Sequence, residues 1–184
     1  AHIPLLKTLD SLAIKPDLIV GNSMGSIVGG LYAMGYTGEQ IEIIAKSVDW
    51  DILLANNLDM NFVNNAERDE FQKYAIELEF EDNSLSIPSG IIEGQELELY
   101  LSRLAYTARD IRDFDSLYIP FRCVAVDIVN GKEIIFKSGS MVTAMRASMS
   151  IPTVFTPVEY EDVLLVDGGI LNNFPVNIAK DYGA

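Results

Sequence analysis

The chain has 184 residues, 49% of them apolar, and its 13 basic against 27 acidic residues leave a net charge of −14. That length and composition suit one globular domain with a core of its own and exclude a disordered chain. The charge argues against nucleic acid, which needs basic patches, and disfavours a broad electrostatic hold on anionic lipid.

Leu5, Leu6, Leu9, Leu12 and Ala13 fall at helical spacing between Pro4 and Pro16, which predicts a first helix over about residues 4–13. Asp17-Leu18-Ile19-Val20 is a short apolar run that stops at Gly21, and Ile27, Val28, Leu31 and Tyr32 resume helical spacing up to Gly35. The pattern is strand, tight turn, helix. Thr37-Gly38-Glu39-Gln40 has the form of a capping box and opens a helix carrying Ile41, Ile44, Ala45 and Val48 on one face. From Trp50 to about Arg68 the pattern blurs into an Asn- and Asp-rich stretch, read as a mobile loop or lid. Ile76, Leu78 and Phe80 then alternate with Glu77, Glu79 and Glu81, a strand with one core face and one solvated acidic face. Asp82-Asn83-Ser84 turns the chain into a return strand at Leu85-Ser86-Ile87.

Leu97, Tyr100, Leu101, Leu104 and Ala108 define another amphipathic helix, and Phe121 to Val129 a strong strand. Within that strand the lone Cys123 reads as a small buried hydrophobe. Asn130-Gly131 before Glu133-Ile134-Ile135-Phe136 is a hairpin signal. Ser138 or Ser140 caps a helix through Met141, Ala144 and Met145. Pro152 and Pro157 hold an extended connector, and Val163 to Val166 is a strand ending at Asp167-Gly168-Gly169. Alternating helices and strands make the class α/β with a largely parallel sheet and hairpin additions. Ala1-His2-Ile3 enters a helical pattern almost at once and Tyr182-Gly183-Ala184 stops abruptly, so both ends are expected to be cuts through a domain.

Gly21-Asn22-Ser23-Met24-Gly25 satisfies G-x-S-x-G with the strand before it and the helix after it that the motif requires. Gly21 and Gly25 allow a strained turn that lifts the serine hydroxyl out of the fold, and Gly29 and Gly30 extend the close packing of strand and helix. The backbone N–H of Met24 stands at the helix start, where unpaired donors and the helix dipole favour a developing oxyanion. One preorganised donor of this kind is worth ~3 kcal/mol in the transition state. The alternative is a Gly-rich turn in which Ser23 only caps the helix.

A serine nucleophile needs a base. His2, the one histidine, precedes Ser23, whereas serine hydrolases with this elbow place their histidine last in the chain, so His2 reads as a helix-start or packing residue. An aspartate becomes the candidate base. Asp167 ends an apolar strand, and in an open parallel sheet it would reach the same rim as Ser23. By itself, Asp-Gly-Gly reads as a turn.

These residues resemble the patatin-like phospholipases over nearly the whole chain. The nucleophile motif corresponds to Gly21 through Gly25, and the Asp-Gly-Gly/Ala motif to Asp167-Gly168-Gly169. Between them, Ile119 to Ala125 and Arg146 to Pro152 look like the family's middle segments, and Asn172, Asn173, Pro175 and Val176 fit its closing stretch. The resemblance implies a three-layer α/β fold whose mostly parallel central sheet is flanked by helices. It also implies a Ser23–Asp167 dyad working through an acyl-enzyme on fatty acyl esters of glycerophospholipids or neutral lipids, in the manner of a phospholipase A or lysophospholipase. No metal or organic cofactor is implied. A membrane or micelle surface would be met through apolar contacts or a tethered neighbouring domain.

Family members carry a Gly-rich loop, roughly Gly-Gly-Gly-x-Arg-Gly, just upstream of the segment matching Ala1-His2-Ile3, and its amides complete the oxyanion hole. Residues 1–184 are therefore expected to be one incomplete acyl hydrolase domain, without that loop and the strand leading into it, and of reduced activity as given. Ile91-Ile92-Glu93-Gly94-Gln95 and the acidic strand before it are similar to bacterial members that continue into an outer-membrane barrel. That likeness implies association with the outer membrane or export through a further domain, the alternative being the cytoplasm. Other functions left open are acyl transfer to an alcohol, a general serine esterase whose histidine lies beyond Ala184, and a lipid-binding domain on a retired enzyme fold.

Overall fold

The structure is a computed structural model that describes residues 2–53, 79–81, 84–86 and 94–183. Its helices follow the apolar periodicity: α1 (His2–Ser11), α2 (Met24–Ala33), α3 (Gly38–Ser47), α5 (Gln95–Leu104) and α6 (Met141–Ser148), with the short α4 (Trp50–Leu53) and α7 (Val176–Asp181). α3 opens on the expected capping box. The Thr37 hydroxyl accepts from the Gln40 N–H at 3.2 Å, and the Gln40 side chain accepts from the Thr37 N–H at 2.9 Å. Of the two serines offered as a cap for α6, Ser140 does so, accepting from the Thr143 N–H. The lid expected over Trp50–Arg68 lies outside the described residues from position 54 onward, and its first four residues form α4.

Five strands make the main sheet: β1 (Ile19–Asn22), β4 (Phe121–Asp127), β5 (Lys132–Phe136), β6 (Val158–Tyr160) and β7 (Val163–Asp167). A separate antiparallel pair is formed by β2 (Glu79–Glu81) and β3 (Ser84–Ser86), in keeping with the expected return strand, while Asp82 and Asn83 of the expected turn lie outside the described residues. β4 is central and buried along its whole length, which explains why it reads as an unbroken apolar run. The α/β class holds, with helices flanking the sheet, but the strand directions are mixed. β1 pairs with β4 in parallel, whereas β5 and β7 run antiparallel to β4, and β6 antiparallel to β7. Short connections force this for β4 with β5 and for β6 with β7, because a few residues between consecutive strands can join only antiparallel neighbours. The antiparallel pairing of β7 with β4 is set by the tertiary path through α6. Between β4 and β5 the turn closes on Gly131, whose N–H donates to the Asp127 carbonyl at 2.8 Å.

Register along β4 brings two strand ends together. β5 occupies one edge over Cys123–Asp127. The other edge is shared: β1 pairs with Phe121–Val124 and β7 with Ala125–Asp127. β1 and β7 approach from opposite directions, and their carboxyl ends meet where Asn22 pairs with Val124 and Asp167 with the adjacent Ala125.

α2 packs on β1, α6 on β4 and against α2, and α7 against β1. The core between them includes Leu31, Phe121, Met145, Phe155 and Leu165, each no more than 2% exposed. Burying a side chain of this size contributes roughly 1.5–3 kcal/mol. Cys123 is fully buried, and burial pushes its thiol well above the ordinary value, which leaves it a small inert hydrophobe.

Candidate active site

The chain leaves β1 through a sharp turn in which Ser23 has φ 53° and ψ −129°. For a residue with a Cβ this backbone costs of order 1–3 kcal/mol and persists only where the surroundings hold it. Two fully buried serines do so. The Ser23 N–H donates to Ser148 Oγ at 3.0 Å, and the Ser23 carbonyl accepts from both the N–H and the hydroxyl of Ser26, at 2.8 and 2.6 Å. Glycine is required at position 21 by close approach, since a Cβ there would sit 2.7 Å from the Gly25 carbonyl oxygen. At Gly25 a Cβ would meet, among the described residues, only His2 Nε2, at an ordinary contact distance of 3.9 Å. Met24 occupies the first position of α2, where its N–H has no acceptor within the helix, and its side chain is exposed.

Asp167 ends β7 and is buried, with 6% exposure. Its N–H donates to the Ser150 carbonyl at 2.9 Å, and its Oδ1 accepts from the Gly169 N–H at 2.7 Å. Among the described residues no hydrogen bond joins the Ser23 and Asp167 side chains. The Asn22 side chain packs against the glycines that follow Asp167. Its Nδ2 donates to Asn173 Oδ1 at 3.4 Å, and its Oδ1 is buried with no hydrogen-bond partner among the described residues. A Cβ on Gly168 would collide with Asn22 Oδ1 and lie 2.6 Å from the Val124 carbonyl oxygen. One on Gly169 would lie 3.0 Å from both Asp167 Oδ1 and Asn173 Oδ1. The glycines after Asp167 thus make room for the residue before Ser23.

Beside the elbow opens an apolar cavity of ≈ 170 Å³, with Met24, His2 and Trp50 at one end and Leu31, Ile41 and Leu104 among its walls. Its direction follows from the helices. Asp10 near the end of α1 accepts from the Tyr32 hydroxyl near the end of α2, and His2 at the start of α1 lies against Gly25 at the start of α2. Tyr36, just beyond α2, donates its N–H to the Leu31 carbonyl and its hydroxyl to the Leu104 carbonyl at the end of α5. The Leu31–Leu104 end therefore lies away from Ser23, roughly 10 Å along α2 from Met24 at 1.5 Å per residue. His2 belongs to the near end and, among the described residues, makes no hydrogen bond to Ser23 or Asp167.

Ser23, Met24, Gly21, Gly25, Asp167, Gly168 and Gly169 all gather at this one place. Sequence reasoning passed over Ser26, Ser148, Ser150 and Asn22 as site residues. Ser26 had a signal, standing three residues after Ser23 in the first turn of the helix that Ser23 precedes. Ser148 had none, because its contact spans 125 positions. Among the described residues, no group of three or more His, Cys, Asp or Glu side chains is placed to hold a metal ion, and no helix is long and apolar enough to cross a membrane.

A mixed sheet flanked by helices, with a strand–turn–helix elbow beside an apolar cavity, defines an α/β domain of hydrolase layout. The chain belongs to the patatin-like phospholipase family, a family of lipid hydrolases, whose model matches residues 1–180. It is similar to Lysophospholipase NTE1 of Scheffersomyces stipitis, 30% identical over 185 residues that cover all of this chain and 10% of that protein. It is also similar to a patatin-like phospholipase domain-containing protein of Caenorhabditis elegans, with 26% identity covering all of this chain and 12% of the relative. An NTE family protein of Mycobacterium bovis is 30% identical over 96% of this chain and 41% of its own length. The chain thus spans only about a tenth of the fungal and nematode relatives. Among solved structures, VipD from Legionella pneumophila shares the fold, with a TM-score of 0.56 and 13% identity over 93% of this chain and 44% of that one.

Proposed function

We propose that this domain hydrolyses fatty acyl esters of lipids, as a phospholipase A or lysophospholipase does, with Ser23 as nucleophile and Asp167 as base. The observation that carries the reading is the meeting of β1 and β7 end to end on β4, which brings Asp167 beside Asn22 and so close to Ser23, with Met24 of the same elbow lining an apolar cavity. Ser23 Oγ attacks the acyl carbonyl while its proton passes to Asp167, and the Met24 N–H donates to the oxyanion. Collapse of this intermediate expels the alcohol, which takes the proton from Asp167 and leaves the acyl chain on Ser23. Asp167 then takes a proton from water, the water oxygen attacks the acyl-enzyme, and the fatty acid leaves as Ser23 Oγ is reprotonated. The acyl chain occupies the cavity lined by Leu31, Ile41 and Leu104.

Apolar contact with a lipid surface is supported by Ile151, Val154, Ile170, Leu171 and Phe174, exposed on the segments that follow Ser150 and Asp167. The net charge of −14 favours neutral or zwitterionic lipid over anionic lipid. The test is kinetic. Ser23→Ala and Asp167→Asn are each expected to abolish acyl-ester hydrolysis in folded protein, and a serine-directed fluorophosphonate is expected to label the parent and not Ser23→Ala. Substantial turnover by folded Asp167→Asn would remove Asp167 from the mechanism.

A further inference from the structure

We infer that Ser148, together with Ser26, is a positioning residue for the nucleophile, and that the end of α6 is a strut that sets the spacing between Ser23 and Asp167. The inference rests on the Ser23–Asp167 reading above. Residues 148–150 touch both members of the pair: Ser148 Oγ accepts from the Ser23 N–H at 3.0 Å, and the Ser150 carbonyl accepts from the Asp167 N–H at 2.9 Å. Neither contact arises from the sheet, since Ser23 lies beyond the end of β1 and Ser150 follows α6. Ser148 and Ser150 are each fully buried, so water does not compete for these bonds.

The strut is itself anchored. The buried Arg146 guanidinium donates from Nη1 to Ser150 Oγ at 2.6 Å and lies over the Phe155 ring at 4.9 Å, and Ser150 Oγ donates to the Arg146 carbonyl at 2.9 Å. At the other end, Ser26 holds the Ser23 carbonyl through both its backbone and its hydroxyl. Both polar groups of the Ser23 backbone are thereby fastened in a conformation that the residue would not keep unaided. Removing Ser148 Oγ frees the N–H side, and the elbow relaxes toward an ordinary φ. The hydroxyl then moves relative to both the Met24 N–H and Asp167, and a displacement of ~1 Å is enough to cost ~100-fold in rate.

The test compares Ser148→Ala, Ser148→Thr and Ser23→Ala for thermal midpoint, for kcat and KM on a dispersed phospholipid, and for the rate of fluorophosphonate labelling. Ser148→Ala is expected to stay folded with KM within about twofold of the parent, while kcat and the labelling rate fall together by about 10- to 100-fold. Ser148→Thr, which retains the hydroxyl, is expected to recover most of the loss. A merely structural role would lower the thermal midpoint and the fraction of labelled sites, but not kcat per labelled site. If Ser148→Ala does not fold, Ser26→Ala takes its place, because it removes one of two bonds to the Ser23 carbonyl and is expected to produce the same kcat loss. Parental kcat in folded Ser148→Ala, or in Ser26→Ala where that is the variant used, overturns the inference alone when Ser23→Ala is dead. Retained turnover in Ser23→Ala overturns the nucleophile assignment and the inference with it.

Discussion

Ser23 takes a left-handed backbone although it has a side chain, while Gly21 and Gly168, which could adopt such angles freely, are glycines because other atoms lie too close for a Cβ. The motif letters were legible in the sequence and the division of labour among them was not. Gly21 admits the helix, Gly168 admits the Asn22 carboxamide, and Gly25 has room to spare. Gly168→Ala is therefore expected to push Asn22 and the Val124 carbonyl apart, at a cost of about 1–3 kcal/mol, read as a lower urea midpoint. Gly25→Ala, with only His2 nearby, is expected to cost less by the same measure. Equal midpoints for the two variants would show that Gly168 is not the tighter position.

At the scale of elements, helices and turns that depend on near neighbours in sequence were readable. The Thr37–Gln40 box and the hairpin at Asn130-Gly131 are both local hydrogen-bond patterns. In that hairpin Asp127 accepts from Asn130 Nδ2 at 2.6 Å and from the Val129 and Asn130 N–H groups at 3.0 and 3.1 Å. These bonds, the Asn130 side chain first, hold the Asp127 carboxyl below its ordinary value. Since the folded state favours the carboxylate, this contribution to stability is complete above the unfolded value of ~3.9 and is lost as pH falls through the lower folded value. Asp127→Asn is expected to lose less stability than the parent between about pH 5 and pH 3, measured as urea midpoints across the range. Parallel profiles would show that Asp127 has no such linkage. The direction of β7 was not readable, because an apolar run carries the same residues whichever way its neighbour points.

For the whole molecule, α1 to α5 line a cavity that runs from Met24 at the elbow to Leu31, Ile41 and Leu104. Each of these helices shows an apolar stripe, and the sequence offered no sign that the stripes leave a gap between them. Leu104 is only partly buried, so a larger side chain there is tolerated better than at Leu31 or Ile41. Leu104→Trp is expected to fill the far end and lower kcat/KM on long-chain esters about tenfold or more, while short-chain esters react as before. A uniform fall across chain lengths would mean that the acyl chain does not reach that end.

The sequence by itself determined the class of the domain, the order of most of its elements, with β6 and α7 passed over, and the two motifs that hold Ser23 and Asp167, because periodicity, capping and turn chemistry act over a few residues. Tertiary structure decided the rest. The meeting of β1 with β7 depends on how 144 intervening positions between Asn22 and Asp167 thread back to one edge of β4. The Ser148 contact depends on the packing of α6 against α2, and the cavity on the spacing of the helices α1 to α5. Contacts between distant positions are set by the whole packed core, and no local pattern of residues encodes them.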